Sequence, residues 1–159
     1  MFDFAICCFL DRVALGAEFD AEELPLHVTL LGPARTEAEL GDIEGAVEFA
    51  LADFGSLRAT GGDDELLEGG GAPFEVTLLD DAEDFVRVHR ELIAALRELG
   101  VELADPASAG RRYRPHVAVT TEERIERGED LEVRAVAILD LAPEGDASRA
   151  RVAAQLPLI

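Results

Sequence analysis

Short apolar runs separated by polar turns dominate the chain, and they predict a fold rich in strands. Residues 2–10 are almost continuously apolar, which is typical of a buried strand. Pro25 precedes a second run and Gly32-Pro33 follows it, so a strand is predicted at residues 26–31. Further strands are predicted at residues 56–60, 74–79, 101–104, 114–120, 131–141 and 150–158, the last two as a closing pair.

In two other segments the apolar residues recur at helical spacing. The first stripe consists of Leu40, Ile43, Val47, Leu51 and Phe54. Thr36 and Glu39 have the spacing of a capping box before this stripe, and Gly55 ends it. The second stripe consists of Phe85, Val88, Leu92, Leu96 and Leu99, and Gly100 ends it. We therefore predict two helices.

The order of these elements places two strand–helix halves in tandem. The order β-β-α-β-β-α-β-β-β-β is an α+β pattern. The 159 residues fit a single domain, residues 1–159, made of two small lobes. We expect the helices to cover the outer faces of sheets whose inner faces look at each other. The glycines within residues 61–71 predict a flexible segment.

The charge of the chain narrows the range of its partners. There are 34 Asp and Glu residues against 14 basic residues, for a net charge of -20. A field this negative repels duplex DNA at long range. No apolar run approaches the roughly 20 residues that a membrane helix needs, and the apolar start lacks a basic region, so we expect a cytoplasmic protein. Cys7 and Cys8 are adjacent, form no metal motif and are expected to be small buried residues.

Two of the three histidines lie in matched contexts, one in each half of the chain. The first is Leu26-His27-Val28-Thr29-Leu30, and the second is Pro115-His116-Val117-Ala118-Val119. Because side chains alternate along a strand, each segment presents a face led by histidine and an opposite apolar face. Residues 24–36 and 106–121 contain no acidic residue, although the chain is otherwise crowded with them. The lack of carboxylates in these two segments favours a bound phosphate near each histidine.

A pair of histidines supplies the acid and base that phosphodiester cleavage needs. With an ordinary pKa of about 6.5, one imidazole can be neutral and the other protonated near pH 7. The neutral ring takes a proton from water or a ribose hydroxyl, and the protonated ring gives one to the departing oxygen. The chemistry then requires no metal ion. The competing interpretation, a hydrogen-bonded structural histidine, holds better for one isolated histidine than for two in parallel settings.

These motifs resemble those of the 2H phosphoesterases, which include the 2′-5′ RNA ligase-like proteins and cyclic phosphodiesterases. His27-Val28-Thr29-Leu30 matches the family's H-h-(T/S)-h motif, and Tyr113-Arg114-Pro115-His116-Val117-Ala118-Val119 resembles the second copy with its aromatic and Pro-His lead-in. The resemblance extends over nearly the whole chain. It implies a bilobal, pseudo-symmetric α+β fold with two antiparallel sheets facing a central cleft and helices outside.

The second motif departs from the family at Ala118, where the family has Thr or Ser. One of the two hydroxyls that hold the phosphate is therefore missing, and losing one such donor costs about 10²–10³ in rate. Thr120 lies on the same predicted face two residues later, and Arg114 two residues before His116. Either residue is a candidate for the missing contact.

Other residues near the second motif admit both functional and structural interpretations. Arg111 and Arg112 either meet substrate phosphate or solubilise a loop, and Tyr113 either stacks on a base or packs. His89 lies at the margin of the second helical stripe, and a packing or surface role is expected for it.

These features together predict a phosphodiesterase without a metal or cofactor. Its expected substrates are 2′,3′-cyclic phosphates, 2′-5′ linkages, or small cyclic or linear oligonucleotides. The predicted catalytic residues are His27, His116 and Thr29. The predicted substrate contacts are Thr120, Arg114, Arg112 and Tyr113. The sequence does not assign the acid and the base.

Two alternatives stay open at this stage. One is a non-catalytic nucleotide-binding protein on the same fold, because Ala118 replaces a hydroxyl residue. The other is a protein-interaction module with an acidic surface. For the enzyme we expect a monomer whose partner is a small nucleotide or oligonucleotide, with no duplex DNA and no membrane.

Overall fold

Ten strands and two α-helices form the part of the chain that the structure describes. This computed structural model describes residues 1–68 and 72–158. The strands are β1 (Phe2–Phe9), β2 (Glu18–Asp20), β3 (His27–Thr36), β4 (Leu57–Leu67), β5 (Phe74–Asp80), β6 (Glu102–Leu103), β7 (His116–Ala118), β8 (Asp130–Val133), β9 (Ala135–Asp140) and β10 (Arg149–Pro157). The helices are α1 (Leu40–Leu51) and α2 (Glu83–Arg97).

The strands of the described residues belong to one antiparallel sheet with a narrow junction at its centre. The order across the sheet is β2-β10-β9-β1-β3-β7-β5-β4-β8, and β6 pairs with β3. At the junction, β3 and β7 share one residue pair, Val28 opposite Val117. Because these strands run antiparallel, a local two-fold axis passes through this pair and relates the two histidine segments.

The predicted α+β class is confirmed, but the two expected sheets are halves of one continuous sheet. The segment at residues 131–141 explains the difference. It breaks at Arg134, so that β8 lies at the outer edge beside β4 while β9 pairs with β1 and β10 in the other half. The Arg134 carbonyl accepts a hydrogen bond of 2.8 Å from the Leu158 amide. The chain therefore crosses from one half of the sheet to the other within residues 131–141, where the apolar pattern predicts a single strand.

Both helices pack against each other and against the same face of the sheet. The core between them contains Phe4, Leu30, Phe85 and Leu92, each with no exposed surface. The opposite face of the sheet carries a smaller apolar cluster that includes Cys7 and Ala137. Neither helix in the described ranges has the length and apolar character to cross a membrane.

A bulge interrupts β3 immediately after the first histidine motif. Leu31 lies opposite Ile6 and Thr29 lies opposite Cys7, so Leu30 is an extra residue on β3. Leu30 and Leu31 are consequently both buried, which breaks the alternation of the strand. The bulge changes the register just beyond Thr29 and leaves backbone groups there to be satisfied by other contacts.

The predicted capping box at Thr36 and Glu39 is wrong. Helix α1 begins at Leu40, and its N-cap residue Glu39 makes no side-chain capping bond. Thr36 instead ends β3, is buried, and donates its hydroxyl to the Leu99 carbonyl at 2.9 Å. Its hydroxyl oxygen accepts from the Ala38 amide at 3.1 Å. The hydroxyl therefore ties β3 to the end of α2 instead of starting α1.

The predicted flexible segment at residues 61–71 is largely strand. Strand β4 continues to Leu67 and pairs with β5 along most of its length. Residues 69–71 lie outside the described residues. Gly61 packs against the turn at residues 126–129: its amide donates to the Glu129 carbonyl and its carbonyl accepts from the Gly128 amide, both at 2.8 Å.

Replacement of Gly61 by alanine should destabilise the protein, whereas the same change at Gly45 should not. A Cβ at Gly61 would collide with the backbone carbonyl of Glu126, but one at Gly45 in α1 meets nothing within 4 Å. We expect Gly61→Ala to lower the free energy of unfolding by about 1–3 kcal/mol. Gly45→Ala should raise it by about 0.5–1 kcal/mol. Urea unfolding measures both, and a Gly61→Ala protein as stable as Gly45→Ala would contradict the packing of this turn.

Candidate active site

The junction of the sheet brings the two histidine segments side by side. Since Val28 faces Val117 in an antiparallel pair, His27 lies opposite Ala118 and Thr29 lies opposite His116. These four residues share the face of the sheet that points away from the helices, here called the site face. His27 and His116 are diagonal neighbours, a relation that places Cα atoms about 7–8 Å apart. The two imidazoles therefore flank one gap.

Apolar side chains border this gap on both sides. Phe9 of β1 lies opposite His27, and the centroids of the two rings are 5.9 Å apart. On the other side, Val76 and Leu78 of β5 lie opposite Ala118 and His116. Both histidines are half-buried in this setting. Partial burial of this kind would strengthen the electrostatic interaction between the rings and an anion.

The two histidines make the same backbone contact. Nδ1 of His27 lies 2.8 Å from the Pro25 carbonyl, and Nδ1 of His116 lies 2.7 Å from the Arg114 carbonyl. A carbonyl oxygen only accepts, so each Nδ1 must carry a proton. In the neutral ring, Nε2 then holds a lone pair, which suits it to proton transfer. Each strand entry thus fixes its ring in the tautomer that general acid–base chemistry uses.

The environment favours the neutral form of His27. Burial lowers the pKa of His27 from its ordinary value, the hydrogen bond to Pro25 opposes this effect, and the charge of nearby His116 lowers the pKa further. His27 consequently remains unprotonated at neutral pH and available to accept a proton.

Thr29 completes the group on the site face. Within residues 1–68 and 72–158 its hydroxyl has no hydrogen-bond partner, although Thr29 is half-buried. Its position opposite His116 puts this hydroxyl beside the gap between the rings. The equivalent position across the two-fold axis is Ala118, which contributes only a methyl group. The site is therefore symmetric in its imidazoles and asymmetric in its hydroxyls.

The four predicted substrate contacts occupy different environments. Arg114 is exposed and pairs at 2.8 Å with Glu65, which lies opposite Val76 on the site face. Arg112 is exposed in the 3₁₀ turn Gly110–Arg112. Thr120 lies beyond β7, and its hydroxyl donates to the Glu123 carbonyl at 3.0 Å and accepts from the Glu123 amide at 2.9 Å. This turn engages the hydroxyl of Thr120, so the turn would have to open before Thr120 could replace the hydroxyl missing at Ala118.

Tyr113 makes structural contacts that the sequence did not reveal. Its ring stacks on His89 with centroids 3.9 Å apart and planes 9° apart. Its hydroxyl donates to the Thr29 carbonyl at 2.7 Å. His89 is buried, so of the packing and surface roles expected for it the structure supports the packing role. A contact between Tyr113 and a substrate base stays a prediction; one face of the ring is already covered.

A groove of about 510 Å³ adjoins the site through Phe9. Its lining includes Arg12, Val13, Ala137 and Gln155, and Arg12 was not among the predicted site residues. No periodicity or motif singles out Arg12, because it lies in an acidic connection after β1. Within the described ranges Arg12, Arg111 and Arg112 form no salt bridge, and Asp11 and Glu132 also line the groove beside Arg12. The described residues contain no group of three or more His, Cys, Asp and Glu side chains placed to bind a metal ion.

Solved structures share this fold over nearly the full chain. The protein TT0787 of Thermus thermophilus is 20% identical with a TM-score of 0.63, over 98% of this chain and 97% of that one. Usb1 of Kluyveromyces marxianus is 9% identical with a TM-score of 0.56, over 98% and 97%. LigT of E. coli in complex with 3′-AMP is 12% identical with a TM-score of 0.56, over 99% and 95%.

These similarities confirm the predicted 2H phosphoesterase-like fold. No protein-family model and no curated protein sequence matches the chain. At such low identities the structural similarity establishes the fold alone. Any chemistry of this chain depends on the residues of the site face.

The titration of His27 tests the proximity of the two rings. We expect NMR to find a pKa for His27 below the ordinary value of about 6.5. His116→Gln removes a nearby positive charge, so the pKa of His27 should rise in this variant. Arg97→Gln, at the exposed end of α2, removes a distant charge and should leave the pKa unchanged. A pKa of His27 that responds equally to both substitutions would show that the rings do not face a common gap.

Proposed function

We propose that this chain is a metal-independent phosphodiesterase that cleaves small nucleotide substrates with His27 and His116 as base and acid. The observation that carries the proposal is the shared face of His27, Thr29 and His116 around the Val28–Val117 pair. The fold and the matched Nδ1 contacts of the two histidines support it. The suggested substrates are 2′,3′-cyclic phosphates, 2′-5′ linkages, and small cyclic or linear oligonucleotides.

We assign the roles of the two rings in hydrolysis of a cyclic phosphate from the lowered pKa of His27. Neutral His27 accepts a proton from water through Nε2, and the water oxygen forms a bond to phosphorus. The bond between phosphorus and one ribose oxygen breaks, and protonated His116 gives its Nε2 proton to that oxygen. His27 ends protonated and His116 neutral, and exchange with solvent restores both. The lowered pKa of His27 is the reason for choosing it as the base.

Thr29 has the position and the chemistry to stabilise the transition state. A hydroxyl beside the gap donates to a non-bridging phosphate oxygen, whose negative charge grows during the attack. Arg114 and Arg112 are the proposed cationic contacts, and Arg12 adds a further one at the adjoining groove. The pairing of Arg114 with Glu65 keeps its guanidinium over the site face in the absence of substrate.

The charge of the chain favours a small substrate. A net charge of -20 opposes the approach of a long polyanion, whereas a mononucleotide meets mainly the local field. The complex of LigT, a protein of the same fold, with 3′-AMP is consistent with a ligand of this size. We therefore propose a monomer in the cytoplasm that acts on small nucleotides or oligonucleotides and binds neither duplex DNA nor membranes.

One observation favours a second candidate, a nucleotide-binding protein without catalytic activity. Ala118 lies opposite His27 and supplies no hydroxyl to the phosphate. Such a protein would retain affinity for nucleotides through its arginines and imidazoles while the transition state lacked one of its donors.

Turnover measurements in EDTA distinguish the two candidates. We expect the wild-type chain to open 2′,3′-cyclic nucleotides or to cleave cyclic dinucleotides in the presence of EDTA. His27→Ala and His116→Ala should each lower kcat by about 10²–10⁴. Arg97→Ala, on the exposed surface of α2, should retain full activity. Nucleotide binding without turnover of any of these substrates would instead support the binding protein.

The missing hydroxyl at Ala118 can be restored. Ala118→Thr should increase kcat by up to about 10²-fold, because it adds a second donor beside the phosphate. Ala118→Val has nearly the same shape without the hydroxyl and is the matched control. Conversely, Thr29→Val should decrease kcat by about 10²–10³. Equal rates for Ala118→Thr and Ala118→Val would refute a role for a hydroxyl at this position.

A further inference from the structure

We infer that Tyr113 and His89 form a positioning unit that fixes the first histidine motif relative to the second. The inference rests on the proposed function for its catalytic consequence, but the contacts themselves stand independently of it. The sheet alone connects the two motifs by the single residue pair Val28–Val117. A junction this short needs a further constraint to keep two side chains in register within fractions of an ångström.

His89 is locked in one neutral tautomer by two backbone groups. Its Nδ1 lies 2.6 Å from the Leu30 carbonyl, to which it must donate. Its Nε2 accepts a 2.9 Å bond from the Gly110 amide and therefore carries no proton. His89 is 2% exposed. Helix α2 thus holds both the bulge of β3 and the turn that leads to the second motif.

Tyr113 links the two motifs directly, because it contacts both His89 and the backbone of Thr29. Its ring lies flat on His89, and its hydroxyl donates to the Thr29 carbonyl at 2.7 Å. Burial raises the pKa of Tyr113, so the hydroxyl keeps its proton and remains a donor. Three residues later, His116 takes its own orientation from the Arg114 carbonyl. A short path of bonds therefore runs from Thr29 through Tyr113 to His116.

The bulge at Leu30 explains why side chains, and not a neighbouring strand, donate to the backbone carbonyls of Thr29 and Leu30. The carbonyls of Thr29 and Leu30 lie on the part of β3 between its pairing with β7 at Val28 and its pairing with β6 at Ala34. Tyr113 donates a hydrogen bond to the Thr29 carbonyl, and His89 donates one to the Leu30 carbonyl. Both belong to the half of the chain that contains His116. The unit fills a gap in the sheet and at the same time sets the separation of the catalytic groups.

The test compares Tyr113→Phe with Thr36→Val. Tyr113→Phe keeps the stack on His89 and deletes only the donor to Thr29. Thr36→Val deletes a buried hydroxyl on β3, the strand that also contains Thr29, and this hydroxyl donates to the Leu99 carbonyl away from the site. Both variants should melt at lower temperature than the wild type. Only Tyr113→Phe should lower kcat, by roughly 10- to 100-fold with KM changed less than about twofold, because displacements of about 1 Å cost this much in rate.

A spectroscopic readout separates this inference from the proposed function. In the ligand-free protein, Tyr113→Phe should shift the imidazole resonances of His27 and His116 and the amide of Thr29, whereas Thr36→Val should leave them unchanged. If the wild type shows no turnover, the proposed function fails and these spectra still decide the positioning role. Should Tyr113→Phe not fold, His89→Gln removes the ring beneath Tyr113 and is expected to give the same changes in kcat and in the spectra.

Two results would overturn the positioning role. The first is a kcat and imidazole spectrum of Tyr113→Phe that match those of Thr36→Val. The second is a rise in KM at constant kcat, which indicates that Tyr113 contacts substrate. Tyr113→Leu supports the same distinction, since loss of base stacking would raise KM and loss of positioning would lower kcat.

Discussion

One antiparallel residue pair, Val28 opposite Val117, determines where the candidate site of this protein is located. It joins the two halves of the sheet, and both valines are buried beneath the helices. Because neighbouring side chains alternate between faces, burying the valines forces His27, Thr29, His116 and Ala118 onto the other face. The same residue pair therefore fixes both the core and the candidate site, on opposite faces of the sheet. A shift of one residue in register would bury the imidazoles.

The two histidines are related by symmetry but differ in their surroundings, and the proposed acid–base chemistry depends on this difference. Each ring is oriented by the carbonyl two residues before it. Burial against Phe9 and the charge of His116 keep His27 in its neutral form. The proposed role of His27 as the proton acceptor follows from this neutral form.

The sequence predicted the features that depend on local periodicity and missed those that depend on distant partners. Alternation along the segments of His27 and His116 predicted their two faces correctly, since it needs no knowledge of neighbouring strands. The break at Arg134 and the bulge at Leu30 were missed, because both are consequences of pairing across the sheet. The contact of Tyr113 with the Thr29 carbonyl was missed for the same reason, as 84 residues separate the two groups.

The proposed chemistry requires both imidazoles to act on one phosphorus atom. A crystal structure of the chain with a nucleoside and vanadate examines this requirement, because vanadate mimics the five-coordinate transition state. We expect vanadium between Nε2 of His27 and Nε2 of His116, with the Thr29 hydroxyl donating to one of its oxygens. Vanadate bound at the surface arginines alone, or in contact with only one of the two rings, would show that the histidines do not share a phosphate.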